Sequence, residues 1–392
     1  MDFQALFKGR TLPAAFVDLD AFDANASSVK RRAQSKRIRT ASKSVRCVTL
    51  LRRLEELLGD RYCGVMTYSG EETLHLAAAG FDRLLIGYPV TGAAVLYDLA
   101  KAVADGKDIT FMADLPEHLV RLQAAAEKAG AVLSVCLDID MSSRFPFLYF
   151  GVRRSSLTGV GEVEKLLLTL KDCSRLQLTG IMGYEAQIAG LQDNLPGQKV
   201  KNVVLRALKA LSVEEVAKRR KAVVEFLGRK GYRLSFVNGG GTGCLETASR
   251  EEVVTEVTAG SSFYASGLFD GYKDFKHLPA AGFAVEVTRK PADNIYTCSG
   301  GGYIASGAAG ADKLPRVWFP AGGRLLAHEG AGEVQTPVRF DAPVKLDVGD
   351  AIIMRHAKSG ELCERFNTLL LVSGGRVVDE VPTYRGEGKC FL

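Results

Sequence analysis

Eight times in succession the chain repeats one beat: a short apolar stretch, a polar loop, then a segment with helical apolar spacing. The strand-like stretches are expected at residues 36–42, 62–67, 83–87, 109–113, 133–140, 178–184, 234–238 and 253–258. Parallel strands need long crossover connections, usually helical, so this alternation reads as consecutive β-α units. Eight such units over about 220 residues predict a (β/α)8 barrel, an α/β fold, rather than an open sheet. The longest helical pattern covers 199–230, as one helix or more. An alternating strand at 14–19 precedes the first unit and is surplus to the barrel.

Beyond residue 275 the rhythm changes. Short strands are expected at 283–288, 296–299, 316–319, 344–346, 351–355 and 368–372. Turn signals such as Gly300-Gly301-Gly302, Pro320-Ala321-Gly322-Gly323 and Asp347-Val348-Gly349-Asp350 separate them. These predict an all-β second domain, with which the surplus N-terminal strand can pair. The expected division is a barrel over 21–275 and a β-domain made of 1–20 and 276–392. A formal charge of +6 without a long basic block argues against nucleic acid as a partner. No apolar run reaches membrane-spanning length, and Met1-Asp2-Phe3 opens without the features of a signal peptide. The eight cysteines contain no CxxC pair and read as free thiols, so a cytoplasmic location is expected.

Barrels keep their chemistry at the C-terminal ends of the strands. The first strand ends in Arg39-Thr40-Ala41-Ser42-Lys43-Ser44. A lysine held there among small residues and partly desolvated can serve as an amine nucleophile, although most lone lysines at strand ends are merely solvated. The seventh strand runs into Asn238-Gly239-Gly240-Gly241-Thr242-Gly243. Glycines let backbone N–H groups converge on an anion, and Thr242 adds a hydroxyl donor. The eighth leads into Ala259-Gly260-Ser261-Ser262-Phe263-Tyr264, with further donors on Ser261 and Tyr264. The loops after strands seven and eight are where barrels customarily hold phosphate.

A lysine after the first strand and phosphate loops after the last two are the layout of barrel-type pyridoxal 5'-phosphate (PLP) enzymes. The chain resembles the D-threonine aldolase and D-serine dehydratase family, within the alanine-racemase-like class. Pro13-Ala14-Ala15-Phe16-Val17-Asp18-Leu19-Asp20 resembles the family's opening strand, and the Lys43 segment its Schiff-base segment. Leu137-Asp138-Ile139-Asp140 with Ser142-Ser143-Arg144 resembles its fifth strand, and Gly183-Tyr184-Glu185 the end of its sixth. The resemblance implies that Lys43 carries PLP and acts as base, with Arg144 beside the cofactor ring or the substrate carboxylate. It also implies that Tyr184, Gly240, Gly241, Thr242, Gly243, Ser261 and Tyr264 surround the cofactor.

In this family the β-domain carries a divalent metal on a histidine and on a cysteine or aspartate two residues later. Here His356 is followed at that spacing by Lys358, and Cys363 is the displaced candidate. Imidazole and thiolate suit Zn2+, with Mn2+ the alternative. His328-Glu329 offers a lesser candidate for a ligand or an acid–base group; His75, His118 and His277 have no assigned role. The reading is a PLP-dependent lyase on D-β-hydroxy-α-amino acids, acting by aldol cleavage or by dehydration. An amino-acid racemase using Tyr296 or Tyr303 as second base is the alternative, and a non-catalytic PLP-binding protein a further one. The resemblance also implies a homodimer with a small amino acid as its partner.

Overall fold

A computed structural model describes residues 1–308 and 310–392. Two compact units emerge: Val29–Lys43, Leu54–Gly260 and Phe391–Leu392 form one, and Met1–Ser28, Ser44–Arg53 and Ser261–Cys390 the other.

The first unit contains a closed barrel of eight parallel strands: Arg37–Ala41, Tyr62–Thr67, Leu84–Ile86, Ile109–Ala113, Leu133–Asp138, Leu176–Gly183, Phe236–Gly239 and Glu256–Ala259. They follow one another in chain order, and the ring closes where Ala259 lies opposite Thr40. Strands buried on both faces read as continuous apolar runs, and every residue of Ile109–Ala113 is buried. Leu85, Met112, Cys136, Met182 and Phe236 pack together in one buried cluster. A charged pair is buried in this unit as well. Arg39 donates to both carboxylate oxygens of Glu256, at 2.7 and 3.0 Å, and to the carbonyl of Arg83 at 2.7 Å. Asn238 donates to Glu256 from the neighbouring strand at 2.9 Å. The longest helical pattern is a single helix, Lys199–Arg229. A small antiparallel hairpin, Ser143–Phe145 with Leu148–Phe150, interrupts the fifth β-α unit.

The second unit is built on a nine-stranded sheet. Its organiser is the surplus strand, Ala14–Asp18. That strand runs antiparallel to Ala281–Ala292, with Ala14 opposite Ala284, and parallel to Thr368–Ser373, with Ala15 opposite Leu369. The pairing expected of it is the one formed. Phe3, Phe7 and Phe16 form the centre of its core, with the Phe3 ring 5.6 Å from Phe16 and 5.5 Å from Trp318.

Residues 344–346 form no strand. The Val344 carbonyl is instead met by the hydroxyl of Tyr296, which donates to it at 2.6 Å. Three strands of this unit lie outside the expected spans: Gly323–Leu325, Gln335–Phe340 and Arg376–Pro382. Pro337 disguises the second, because proline ordinarily argues against a paired strand. The third is mostly exposed, and Arg376, Asp379 and Glu380 break up its valines, so no regular apolar alternation marks it.

Candidate active site

The Arg37–Ala41 strand passes directly into a single 3-10 turn, Ser42–Ser44. Ser42 fixes that turn by donating from its hydroxyl to the Met66 carbonyl at 3.0 Å. Lys43 therefore leaves the C-terminal end of the barrel with an exposed side chain. Its Nζ donates to the hydroxyl of Tyr88 at 2.7 Å and lies 5.3 Å from the centre of that ring. Tyr88 follows the Leu84–Ile86 strand, so two strand ends bring the pair together. Burial alone would raise the Tyr88 phenol. The charge and hydrogen bond of Lys43, with the charge of Arg154, outweigh it and hold the group below its ordinary value.

Arg154, not Arg144, joins this group. Arg144 stands exposed on the hairpin, whereas the Arg154 guanidinium lies 5.9 Å from the Tyr184 ring centre. The chain beyond the hairpin is tied to strand ends. Ser155 donates to the Asp138 carbonyl at 2.5 Å and Ser156 to the Asp114 carbonyl at 2.7 Å. Inserting the hairpin thus carries Arg144 outward and brings a later arginine back. Tyr88 was missed altogether, because no local pattern marks a tyrosine two residues past a three-residue strand.

Asp138 ends the Leu133–Asp138 strand. Burial first, then the charges of Asp114 and Asp140, push its carboxyl up to about 7, with Arg154 opposing. The folded state thus holds a proton that the unfolded chain, titrating near 3.8, releases earlier. This contribution to stability is complete below the unfolded value and is lost as pH rises through about 7. Asp138→Asn should accordingly be close to neutral in urea unfolding at pH 4. At pH 8 it should stabilise by a few kcal/mol, on the order of 4 at most. Equal effects at the two pH values would show that Asp138 is charged throughout.

The glycine loop sits at the end of the Phe236–Gly239 strand. Gly240 has φ +80°, where side chains are strained, and a Cβ on Gly241 would lie 2.9 Å from the Tyr184 ring. The Gly240 N–H donates to the Glu185 carboxylate at 2.9 Å. Glu185 is in turn paired with Arg220, a wholly buried side chain that also pairs with Glu251 and donates to the Gly183 carbonyl at 3.0 Å. The loop is therefore held from behind by a buried carboxylate–guanidinium–carboxylate chain. Among the described residues, the Gly243 N–H makes no hydrogen bond to a protein acceptor, whereas the Gly241 N–H lies against the Cys244 sulfur. The Thr242 carbonyl accepts from Arg32 at 2.7 Å.

Four expected residues lie in the β-rich unit. The Ser261 hydroxyl is 3.4 Å from that of Ser44. Tyr264 is fully buried, and its hydroxyl donates to the Val45 carbonyl at 2.8 Å. Cys363 is also fully buried and donates to the same carbonyl at 3.2 Å, with burial raising its thiol. His356 is buried too, and neither ring nitrogen makes a hydrogen bond. Burial, followed by the neighbouring Arg355 charge, lowers its imidazole to about 3.

As a metal centre this set does not fit. His356 has nitrogens to offer, but the Cys363 thiol is engaged with a carbonyl. Lys358, at the spacing of a second ligand, is an ammonium paired with Glu361 at 3.0 Å. No group of three or more His, Cys, Asp or Glu side chains among the described residues is placed to hold an ion.

Comparison with known proteins agrees with this architecture. The curated 3-hydroxy-D-aspartate aldolase of Paracoccus denitrificans is 25% identical over 251 residues, which make up 64% of this chain and 59% of that protein. Among solved structures, D-threonine aldolase from Filomicrobium marinum superposes with a TM-score of 0.81 at 20% identity, over 96% of this chain and 95% of its own. D-threo-3-hydroxyaspartate dehydratase from a Delftia species gives 0.77 at 19%, over 96% and 98%. At those identities the structural likeness speaks for the fold. The family model for the N-terminal domain of alanine racemase matches residues 17–266, more than half of the sequence. A closed eight-stranded barrel with an exposed lysine at the end of its first strand lies within that match, and the chain belongs to the alanine racemase N-terminal domain family.

Proposed function

We propose that this protein is a PLP-dependent lyase that acts on D-configured β-hydroxy-α-amino acids, by aldol cleavage or by dehydration. The observation that carries this reading is the placement of Lys43. Its amine is exposed at the C-terminal end of the barrel, 2.7 Å from the Tyr88 hydroxyl, at the same end as the glycine loop that follows the Phe236–Gly239 strand. The activities named for the Paracoccus, Filomicrobium and Delftia proteins support the substrate class.

The residues present fit the cofactor. Lys43 would hold its carbonyl carbon, and the Gly243 N–H with the Thr242 hydroxyl would hold its phosphate. When bound, PLP supplies an electron sink for the carbanion formed at the substrate α-carbon. Lys43 Nζ removes or returns the α-proton, and the Tyr88 hydroxyl orients the freed amine by accepting its hydrogen bond. Arg154 supplies a fixed cation beside Tyr184. Tyr184 in turn packs against Gly241, so the loop and the arginine share one support.

We further propose, on the family resemblance, a homodimer. A cytoplasmic location is proposed from the eight free cysteines, which suit a reducing compartment. Among the described residues no helix is long and apolar enough to cross a membrane.

The purified protein, loaded with PLP, should consume D-3-hydroxyaspartate, D-threonine or D-serine. Release of glycine marks cleavage; release of a 2-oxo acid and ammonia marks dehydration. Because His356 and Cys363 do not form a metal centre, a chelator should leave turnover unchanged. Chelator-sensitive turnover restored by Zn2+ or Mn2+ would place the metal there after all. Interconversion of alanine enantiomers without loss of any β-hydroxy substrate would overturn the lyase reading in favour of a racemase.

A further inference from the structure

Within the β-rich unit lies a cavity of about 670 Å³ that the proposed reaction does not use. Its position follows from strand direction. Ala14–Asp18 and Thr368–Ser373 are parallel, so both begin at the same edge of the sheet. Arg376–Pro382 runs antiparallel to the latter, with Pro382 opposite Thr368, and so ends at that edge. Arg10 precedes the first strand, Arg365 precedes the second and Arg385 follows the third. Register alone gathers three arginines from distant parts of the chain around one concavity.

The charge there is unbalanced. Glu380 is the one acidic residue in the lining, and its carboxylate accepts from the Thr368 hydroxyl at 2.6 Å. Among the described residues none of the three guanidinium groups enters an ion pair; Arg10 donates from Nε to the Leu6 carbonyl at 3.2 Å. Like charges gathered around a concave, poorly polarisable wall repel one another, and an anion placed among them reverses the sign of that energy. Guanidinium forks match carboxylate and phosphate oxygens two at a time. The floor is firm and partly apolar. Tyr303 stands edge-on to Phe283 at 4.8 Å and to Phe366 at 5.2 Å.

We propose that this cavity is a binding site for a small organic polyanion, carrying carboxylate or phosphate groups on a compact carbon body. Its guanidinium rim takes the charges and the Tyr303–Phe366 floor takes the body. The site is formed wholly by the β-rich unit and does not depend on the lyase reading.

Isothermal titration of the PLP-loaded protein tests it, with succinate, citrate and inorganic phosphate as probes at constant ionic strength and chloride as the monovalent reference. At least one polyanion should bind saturably. Preference for citrate or succinate identifies carboxylate chemistry, and preference for phosphate identifies a phosphate ester. Arg365→Gln combined with Arg385→Gln should weaken binding by at least about tenfold. Glu380→Gln should tighten it several-fold, a gain that misfolding cannot produce. The yellow colour of the cofactor should persist in each variant and reports that the barrel is intact. If the double variant does not fold, Arg10→Gln with Glu380→Gln still tests both signs. No binding beyond that of chloride, or binding indifferent to all of these substitutions, would overturn the proposal.

Discussion

Lys43→Ala protein is expected to emerge from purification colourless and to turn over no amino acid at any pH. The reasoning is geometric. Within the barrel unit, Lys43 is the lysine that ends a strand at the catalytic face, with Nζ directed at a hydroxyl rather than a carboxylate. An amine at that position can exchange between a covalent carbonyl partner and a hydrogen bond to Tyr88. Borohydride reduction followed by peptide mapping would locate the cofactor, and a labelled lysine other than Lys43 would move the site elsewhere. The companion variant separates holding from reacting. Tyr88→Phe should keep the colour, because attachment needs only the amine. Its turnover should fall by roughly 10²-fold, the scale of one lost acid–base contact. A Tyr88→Phe enzyme as fast as the wild type would show that the tyrosine only fills space.

The second large effect is structural. Arg220 is wholly buried between Glu185 and Glu251, and its removal leaves two carboxylates without their counter-ion. Breaking a buried pair from one side typically costs about 3–5 kcal/mol, because the remaining charge stays desolvated. Arg220→Met should therefore lower the urea midpoint by an amount of that order. It should also loosen cofactor retention, since Glu185 positions the Gly240 N–H. Replacing Arg220, Glu185 and Glu251 together by apolar residues of similar volume should recover much of the stability. Retention of PLP should not recover with it, because the Gly240 donor then lacks its acceptor. A single Arg220→Met variant within about 1 kcal/mol of the wild type would mean that water reaches the network.

Much of the framework was legible from one-dimensional pattern. Strands that close a barrel are buried on both faces, so their apolar runs stand out without any partner being known. Each of the eight barrel strands overlaps its expected span, the closest being Tyr62–Thr67 and Ile109–Ala113. The sheet of the second unit was harder to read. Its strands are short, some are half polar, and Gln335–Phe340 carries a proline between two paired neighbours.

By itself the sequence determined the barrel, the surplus strand, the lysine after the first strand and the glycine loop after the seventh. These are local: a period, a turn or a run of small residues is set by neighbours along the chain. Only the tertiary structure decided which residues meet. Tyr88 reaches Lys43 because two parallel strands end at one level, and Arg154 lies beside Tyr184 while Arg144 stands out on the intervening hairpin. Glu185, Arg220 and Glu251 converge from a loop, a long helix and a helix end, and nothing in their separate surroundings marks them as one buried group. Arg10, Arg365 and Arg385 meet through strand register alone. Contacts of this kind depend on the direction and spacing of elements far apart in the chain, which no local pattern encodes.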